Sequence, residues 1–261
     1  ENISIKDILN SEAGVINIYA GNYEQTIKIK IWSKAHPLSN FKKNLISGIQ
    51  TWKQNKNKFI FNRPITNEYK PLIEGKDIDS YRVNFNNKYI FYNKKALNVM
   101  QDENIFLHSE KIVIQRVGGG NRPIKAAIDK NRYYCFNSLN TLICKNIDHL
   151  FVLALLNSKI LNWYYSNFFS NRSSLTVNIS TGLLEQLPIA KIESGIDEKN
   201  KNKIIKLVNK ILDITKLSDY LVNSEKQANV KEYEYQIDQI VYKLYNLTPK
   251  EIKVVESSIK N

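Results

Sequence analysis

The chain has 261 residues, and 43% of them are hydrophobic, enough for a sizeable core in one large domain or in one domain with an appendage. Six Pro and nine Gly exclude a collagen-like or low-complexity polypeptide. The formal net charge of +13 favours a polyanionic partner.

The cysteine pattern and the start of the chain indicate the compartment. Cys135 and Cys144 form no Cys-x-x-Cys pair, so they predict buried thiols in a reducing compartment and neither a disulfide framework nor zinc. The chain opens on Glu1 and shows no signal peptide. The missing Met at the start predicts a fragment of a longer protein.

Positive charge is concentrated before Lys191. There Lys and Arg exceed Asp and Glu by 11, whereas the excess from Lys191 to Asn261 is 2. The run Gln25–Asn67 has no carboxylate and nine basic residues, which attracts polyanions. A Lys-rich genome explains the number of lysines, but it does not explain the missing carboxylates. The basic residues of this run are Lys28, Lys30, Lys34, Lys42, Lys43, Lys53, Lys56, Lys58 and Arg63.

The first elements are predicted as strands. Ile3–Leu9 is compatible with a short helix or a strand, and Val15–Tyr19 reads as a strand. In Gln25–Trp32 isoleucines alternate with lysines, and this period of two predicts a strand with one wet face. Its lysines either follow a phosphate backbone or line a solvated edge strand.

A polar, aromatic segment follows between two apolar runs, within Leu45–Phe61. Gln and Asn in Gln50–Lys58 can pair with an adenine edge, Lys with guanine or phosphate, and Trp52 can stack on a base. The alternative is a polar hairpin loop with one partly buried Trp.

Turn signals and short strands dominate the middle of the chain. Pro71 and Gly75 punctuate Tyr69–Tyr81, and Glu74 with Lys76 forms an acid-x-Lys pair without the Pro-Asp partner of metal-dependent nucleases. Further strands are predicted at Lys88–Tyr92, Lys111–Arg116, Ala126–Asp129, Tyr133–Phe136 and Thr141–Cys144.

Three glycines precede Arg122 in the loop Val117–Pro123. A Gly-Lys-Ser/Thr sequence is missing, and Pro123 stands where a dinucleotide-binding loop needs Gly. The loop is therefore predicted as a flexible turn that lets the backbone and Arg122 approach a ligand closely.

The most apolar segment, Leu150–Tyr165, predicts a central buried helix of about five turns that is interrupted once, at Asn157 and Ser158. It is too short and too interrupted to span a bilayer, which needs about 20 apolar residues. The following Asn167–Thr181 is polar and carboxylate-free. It either presents hydrogen-bonding groups on a rigid support or is a plain solvated loop.

The C-terminal part predicts helices. Gly195–Lys201 reads as a charged linker, and apolar stripes in Ile204–Leu221 and Val230–Leu244 predict an antiparallel helical hairpin with its break near Ser224. Thr248–Glu251 reads as a capping box with Pro at the first helical position, which opens a last helix.

Signatures of catalysis are missing. No Gly-x-Ser-x-Gly, Walker loop, His-Glu-x-x-His or Asn/Asp-Pro-Pro-Tyr/Phe sequence occurs, and the three His residues stand apart. The sequence predicts an α+β fold. Residues 1–192 form a mixed or antiparallel β-rich recognition domain with a central buried helix, and residues 193–261 form a helical region that contains the hairpin.

Five segments in order carry a resemblance to a known family. They are Pro71–Ile78, Lys88–Ile90, Lys111–Arg116, Leu155–Lys159 and Leu187–Ile189. Over about residues 40 to 190 the chain resembles the TaqI-like C-terminal specificity domain. This is the target recognition domain of adenine-N6 DNA methyltransferases and of type IIG restriction-modification enzymes. The tail around Gln236–Thr248 is similar to the helical end of such enzymes.

The resemblance implies a domain that reads a short duplex sequence while a separate domain flips and methylates adenine. We therefore expect double-stranded DNA and a methyltransferase catalytic domain or subunit as partners, and no membrane. The resemblance also implies a bacterial protein that is cytoplasmic and DNA-associated. We expect no catalytic residue, metal or cofactor in this chain, with S-adenosylmethionine bound by the parent's catalytic domain. The alternatives are a type I-like specificity subunit fragment, a nuclease or methyltransferase with a degenerate site, and a protein-interaction scaffold.

Polar and basic residues in the predicted loops are the candidates for DNA contact, because Lys and Arg position a phosphate backbone and Gln, Asn and Arg read base edges. They are Gln50, Thr51, Lys53, Gln54, Lys56, Lys58, Arg116, Asn121, Arg122, Asn171 and Arg172.

Overall fold

The computed structural model describes residues 22–52, 58–120, 122–169 and 177–259. Its α-helices are α1 (Asn22–Ser33), α2 (Glu103–Phe106), α3 (His149–Asn157), α4 (Lys159–Phe168), α5 (Thr181–Glu185), α6 (Gly195–Thr215), α7 (Ser224–Leu244) and α8 (Pro249–Ser258). Short 3-10 helices occupy Leu38–Asn40, Gly75–Asp77 and Tyr220–Val222.

The strands are short and numerous. They are β1 (Ala35–Pro37), β2 (Lys42–Ser47), β3 (Gln50–Thr51), β4 (Ile60–Phe61), β5 (Tyr69–Ile73), β6 (Ile78–Asp79), β7 (Arg82–Val83), β8 (Tyr89–Phe91), β9 (Leu97–Val99), β10 (Lys111–Gln115), β11 (Val117–Gly118), β12 (Ala126–Asp129), β13 (Tyr134–Cys135), β14 (Leu139–Cys144), β15 (Val177–Asn178) and β16 (Pro188–Ala190).

Two four-stranded sheets organise the body. One is antiparallel, in the order β12-β10-β14-β2. The other is mixed, in the order β13-β5-β8-β4, with β13 parallel to β5. Where they meet, Gly48 N donates to Leu139 O at 2.9 Å. A Cβ at Gly48 would lie 2.2 Å from the carbonyl oxygens of Cys135 and Phe136, so only glycine permits this approach.

The central helices are buried as predicted, but they are two helices. Ser158 is extended (φ −69°, ψ 152°), ends α3 and caps α4, and its hydroxyl donates to Leu155 O at 2.6 Å. One hydrophobic core contains side chains of these helices, of α1, of the antiparallel sheet and of α6, α7 and α8. A second core underlies the mixed sheet. Among the described residues, no helix is long and apolar enough to cross a bilayer.

Two predicted elements are wrong. Gln25–Trp32 is part of helix α1. Ile27 and Ile31 are fully buried and four residues apart, whereas Ile29 is 71% exposed, so burial follows the helical period. The predicted linker Gly195–Lys201 is the first part of α6, which opens at Ser194 with a capping box to Asp197.

Other predictions are confirmed. The five strands predicted between 88 and 144 are present as β8, β10, β12, β13 and β14. The hairpin is α6 and α7, and Thr248 caps α8 in a capping box with Glu251. Both cysteines are free and buried, and burial raises their thiol pKa to about 12. The α+β class is therefore correct.

Some predictions stay open. Ile3–Leu9 and Val15–Tyr19 lie outside the described residues. The division at residues 192 and 193 stays a prediction, although side chains from both sides, such as Leu153 and Ile204, share the larger core.

Candidate nucleic-acid interface

The turn between β13 and β14 lies between two of the predicted contact residues, Arg116 and Gln50. Arg116 N donates to Ser138 O at 2.9 Å, and its guanidinium Nη1 donates to Asn137 O at 3.3 Å. On the other side of the turn, Gly48 N bonds Leu139 O, and the isolated bridge Ile49 to Phe136 leads into β3. Arg116 and the exposed Gln50 therefore flank the same turn.

The 3-10 turn at Gly75–Asp77 packs on this turn as well. Gly75 N donates to Ser138 Oγ at 2.9 Å. The carboxylate of Asp77 is 1% exposed and accepts hydrogen bonds from Glu74 N at 2.8 Å and Asn86 Nδ2 at 2.6 Å. Glu74 pairs with Lys88. The carboxylates of Glu74 and Asp77 therefore stabilise the local fold.

Three residues outside the predicted contact set lie on this turn or next to it. Asn137 and Ser138 are partly exposed in the turn, and the Lys76 side chain is 69% exposed on the adjoining 3-10 turn. Their proximity to Arg116 is not visible in the sequence, because the Gly75 to Ser138 contact joins segments 63 residues apart. They belong with the candidates for contact.

The Gln50–Lys58 segment is only partly described. Gln50 and Lys58 are exposed, Thr51 is buried at 4%, and β3 pairs with β9. Trp52 is 42% exposed, and its Nε1 lies 3.5 Å from Lys94 O. Trp52 thus presents an aromatic face beside the backbone of Lys94. Lys53, Gln54 and Lys56 lie outside the described residues.

The glycine loop joins β11 to β12. β11 pairs with β15, where Val117 faces Asn178 and Gly118 faces Val177. A Cβ at Gly118 would lie 2.1 Å from Pro123 O, and Gly120 has φ +68°. The close approach therefore requires glycine at 118, and the left-handed backbone favours it at 120. Asn121, Asn171 and Arg172 lie outside the described residues.

Arg122 is turned toward the C-terminal helices. Its Nη1 lies 3.8 Å from Glu234 Oε2 and its Nη2 lies 3.5 Å from Asp238 Oδ2, with the side chain 31% exposed. Burial raises the pKa of Asp238 to about 6, although Lys159 N–H and the charges of Arg122 and Lys159 oppose this shift. The role of Arg122 in DNA contact stays a prediction.

The basic run Gln25–Asn67 is partly neutralised in the fold. Lys30 pairs with Glu251 at 2.9 Å and Lys34 with Glu193 at 3.2 Å. Lys42 pairs with Glu185, and Lys28 Nζ lies 5.1 Å from the centre of the Phe168 ring. In the described ranges, the members of the run without a carboxylate within 4.0 Å include the exposed Lys43, Lys58 and Arg63.

Comparison with known proteins finds a family model that matches the central segment. Residues 70–189 match the model of the TaqI-like C-terminal specificity domain, which confirms the resemblance seen in the sequence. No curated protein sequence matches the chain at a significant level.

The solved structures of MmeI and BpuSI share the fold. The type IIL restriction-modification enzyme MmeI, in complex with DNA, aligns with 86% of this chain at a TM-score of 0.55 and 12% identity. The type IIG restriction endonuclease BpuSI aligns with 88% at a TM-score of 0.51 and 11% identity. The aligned parts are 36% and 34% of those chains, so this chain spans about a third of their length. The HsdS subunit from Thermoanaerobacter tengcongensis aligns at a TM-score of 0.43 with 9% identity over 86% of this chain and 51% of HsdS.

Proposed function

We propose that this chain is a sequence-specific double-stranded DNA recognition module of a restriction-modification enzyme that methylates adenine at N6. The match of residues 70–189 to a specificity domain supports this function. The observation that carries it is the convergence of Arg116, Gln50 and the Asn137–Ser138 turn, because donors and acceptors on adjacent loops suit the edges of base pairs.

The chemistry belongs to another domain or subunit in this proposal. That part would bind S-adenosylmethionine and flip the target adenine, while this chain positions the duplex. Incubation of this chain alone with duplex DNA, Mg²⁺ and the methyl donor is expected to leave the DNA uncut and unmethylated. Turnover that co-purifies with this chain and is removed by a substitution within it would contradict the assignment.

A selection of bound sites from random duplex DNA tests the recognition itself. A consensus site is expected, with specific affinity well above the affinity for a scrambled duplex. A pool that stays random after selection would reject sequence-specific recognition.

Gln50 offers a residue-level test of base reading. Gln50→Ala is expected to weaken the selected site by about 1–3 kcal/mol and to leave the scrambled duplex unchanged, because a base contact is lost only on the correct sequence. The matched control is Gln236→Ala on α7, for which no difference is expected. Equal losses on both duplexes would assign Gln50 to the backbone instead.

A further inference from the structure

A cluster of charges joins the glycine loop to the C-terminal helices. Arg122 approaches Glu234 and Asp238 of α7. Lys159, the first residue of α4, lies 4.0 Å from Asp238 Oδ2 and 3.8 Å from Glu256 Oε1 through its Nζ. Its backbone N–H donates to Asp238 Oδ1 at 2.9 Å. Asp238 therefore contacts both the loop and the break between α3 and α4.

Burying the charged groups of this cluster has a large desolvation cost. The Asp238 side chain is only 3% exposed, and its Oδ2 accepts no hydrogen bond in the described structure. Arg122 Nε is also buried without a hydrogen-bond partner there. The attraction within a buried ion pair often fails to offset the desolvation penalty, and apolar residues of similar volume often give equal or greater stability. A role in fixing geometry explains the cluster better than a role in stability.

The chain after Arg122 is held on α3 and α4. Asn162 Oδ1 accepts Ile124 N–H at 2.8 Å, and Asn157 Oδ1 accepts Ala126 N–H at 3.0 Å. On the other side of the loop, Gly118 is held in β11 against Val177. Gly118 and Ile124 are thus held by backbone contacts on either side of the loop, and the Arg122 side chain adds a link from the loop to α7.

We propose that Asp238, together with Glu234, is a positioning residue for DNA recognition. By holding Arg122, α7 sets where the Gly118–Gly120 loop stands relative to the duplex. The link from α7 through Arg122 to the loop, the Arg122 strut, holds the loop in place, and Arg122 does not read bases. This inference rests on the proposed function, and it makes the C-terminal helical region part of the recognition unit.

A double-mutant cycle tests the strut on the full chain, with the duplex selected from random DNA and a scrambled duplex as probes. Asp238→Asn and Arg122→Ala are each expected to lower the ratio of the two affinities by about tenfold, the size of one lost base-pair contact. The double variant should lose no more than either single variant, because both remove the same anchor. Affinity for the scrambled duplex should stay unchanged.

The matched control is Glu232→Gln, an exposed carboxylate on the same helix whose Oε1 bonds only Gln236 in the described structure. It should leave the ratio at the wild-type value. If Asp238→Asn fails to fold by circular dichroism, Glu234→Gln takes its place in the cycle, since Glu234 is 18% exposed.

Two results would overturn the strut. An unchanged ratio in the carboxylate variant beside a lowered ratio in Arg122→Ala would make Arg122 a direct reader. Equal weakening on both duplexes would make the cluster a phosphate contact or a purely structural one. A wild-type chain that cannot distinguish the duplexes would instead refute the proposed function, so the two failures are separable.

Discussion

Lys111 and Asp129 form a fully buried ion pair on facing strands. They are register partners in β10 and β12, with 2.5 Å between Nζ and Oδ2. Lys111 Nζ also donates to Phe106 O at 2.6 Å, and the two oxygens of Asp129 accept Asn131 N–H and Tyr133 N–H. The lysine in the family-like segment Lys111–Arg116 is thus a structural residue, and it anchors α2 to the sheet.

Breaking this pair should be costly. Lys111→Met leaves Asp129 charged and buried, so we expect a loss of about 3–5 kcal/mol in the free energy of unfolding. Urea unfolding followed by tryptophan fluorescence measures it. The control is Lys125→Met, whose partner Asp79 is 66% exposed, with an expected change below about 1 kcal/mol. Similar losses for the two variants would contradict the argument.

Asp238 predicts a specific pH dependence of stability. Burial raises its pKa from 3.8 to about 6 in the folded chain, so folding favours the protonated acid. Its contribution to stability is fully present below about pH 4 and is lost as the pH rises through about 6. The surrounding charged and titratable groups are Arg122, Lys159, Glu234, Glu256, Tyr81 and Tyr242.

Asp238→Asn removes this titration. The free energy of unfolding of the variant minus that of the wild type should therefore become more positive between pH 4.5 and pH 7.5. Urea unfolding at both pH values measures the change, with Glu232→Gln as the variant in which no such trend is expected. A difference that stays constant with pH would show that Asp238 titrates normally.

At the scale of elements, the Leu155–Lys159 segment explains why a helix breaks in the middle of the core. β12 is an edge strand, and the backbone groups of its Ala126 face Asn157 of α3 and Tyr81. The amide of Asn157 accepts Ala126 N–H at 3.0 Å and donates to Ala126 O at 2.9 Å, as a neighbouring strand would. The helix pair thereby closes the sheet edge.

Removal of the Asn157 side-chain amide should destabilise the edge strand β12 at Ala126. Asn157→Ala leaves Ala126 N–H buried without its partner, at a cost of about 1–3 kcal/mol, whereas Ala126 O keeps the hydrogen bond from Tyr81 N at 2.8 Å. Urea unfolding measures the total loss, and hydrogen exchange should show lost protection at the Ala126 amide. Asn209→Ala on the exposed side of α6 is the control, with little change expected. Unchanged exchange at Ala126 would refute the role of Asn157 at this strand edge.

The wrong strand prediction at Gln25–Trp32 has a physical cause. Alternating Ile and Lys in Gln25–Trp32 satisfies the strand period, and the same residues place Ile27 and Ile31 on one helical face. Local pattern cannot choose between them, because the choice depends on which surface is available for packing. The helical hairpin was predictable because its apolar stripes extend over about five turns each.

At the scale of the whole molecule, salt dependence tests the electrostatics of DNA binding. Affinity should fall steeply with salt because phosphate contacts release counterions. Lys58→Gln should reduce the slope of log affinity against log salt by about 1, and it should do so on every duplex. Lys34→Gln is the matched control, since Lys34 already pairs with Glu193. An identical slope for Lys58→Gln and the wild type would remove Lys58 from the interface.

The sequence alone determined the features that depend on neighbouring residues. The capping box at Thr248, the interruption at Ser158, the short strands and the family-like segments are all local, since backbone hydrogen bonding and side-chain period act over a few residues.

Only the tertiary structure decided which charges remain exposed. Lys30 and Glu251 are 221 residues apart in the chain, and Arg122 lies more than 100 positions before Asp238. Charges so far apart interact only after folding brings them within a few ångströms, because water and salt screen them at longer range. The basic run therefore predicted the sign of the field, whereas the fold decided which lysines and arginines a duplex can reach.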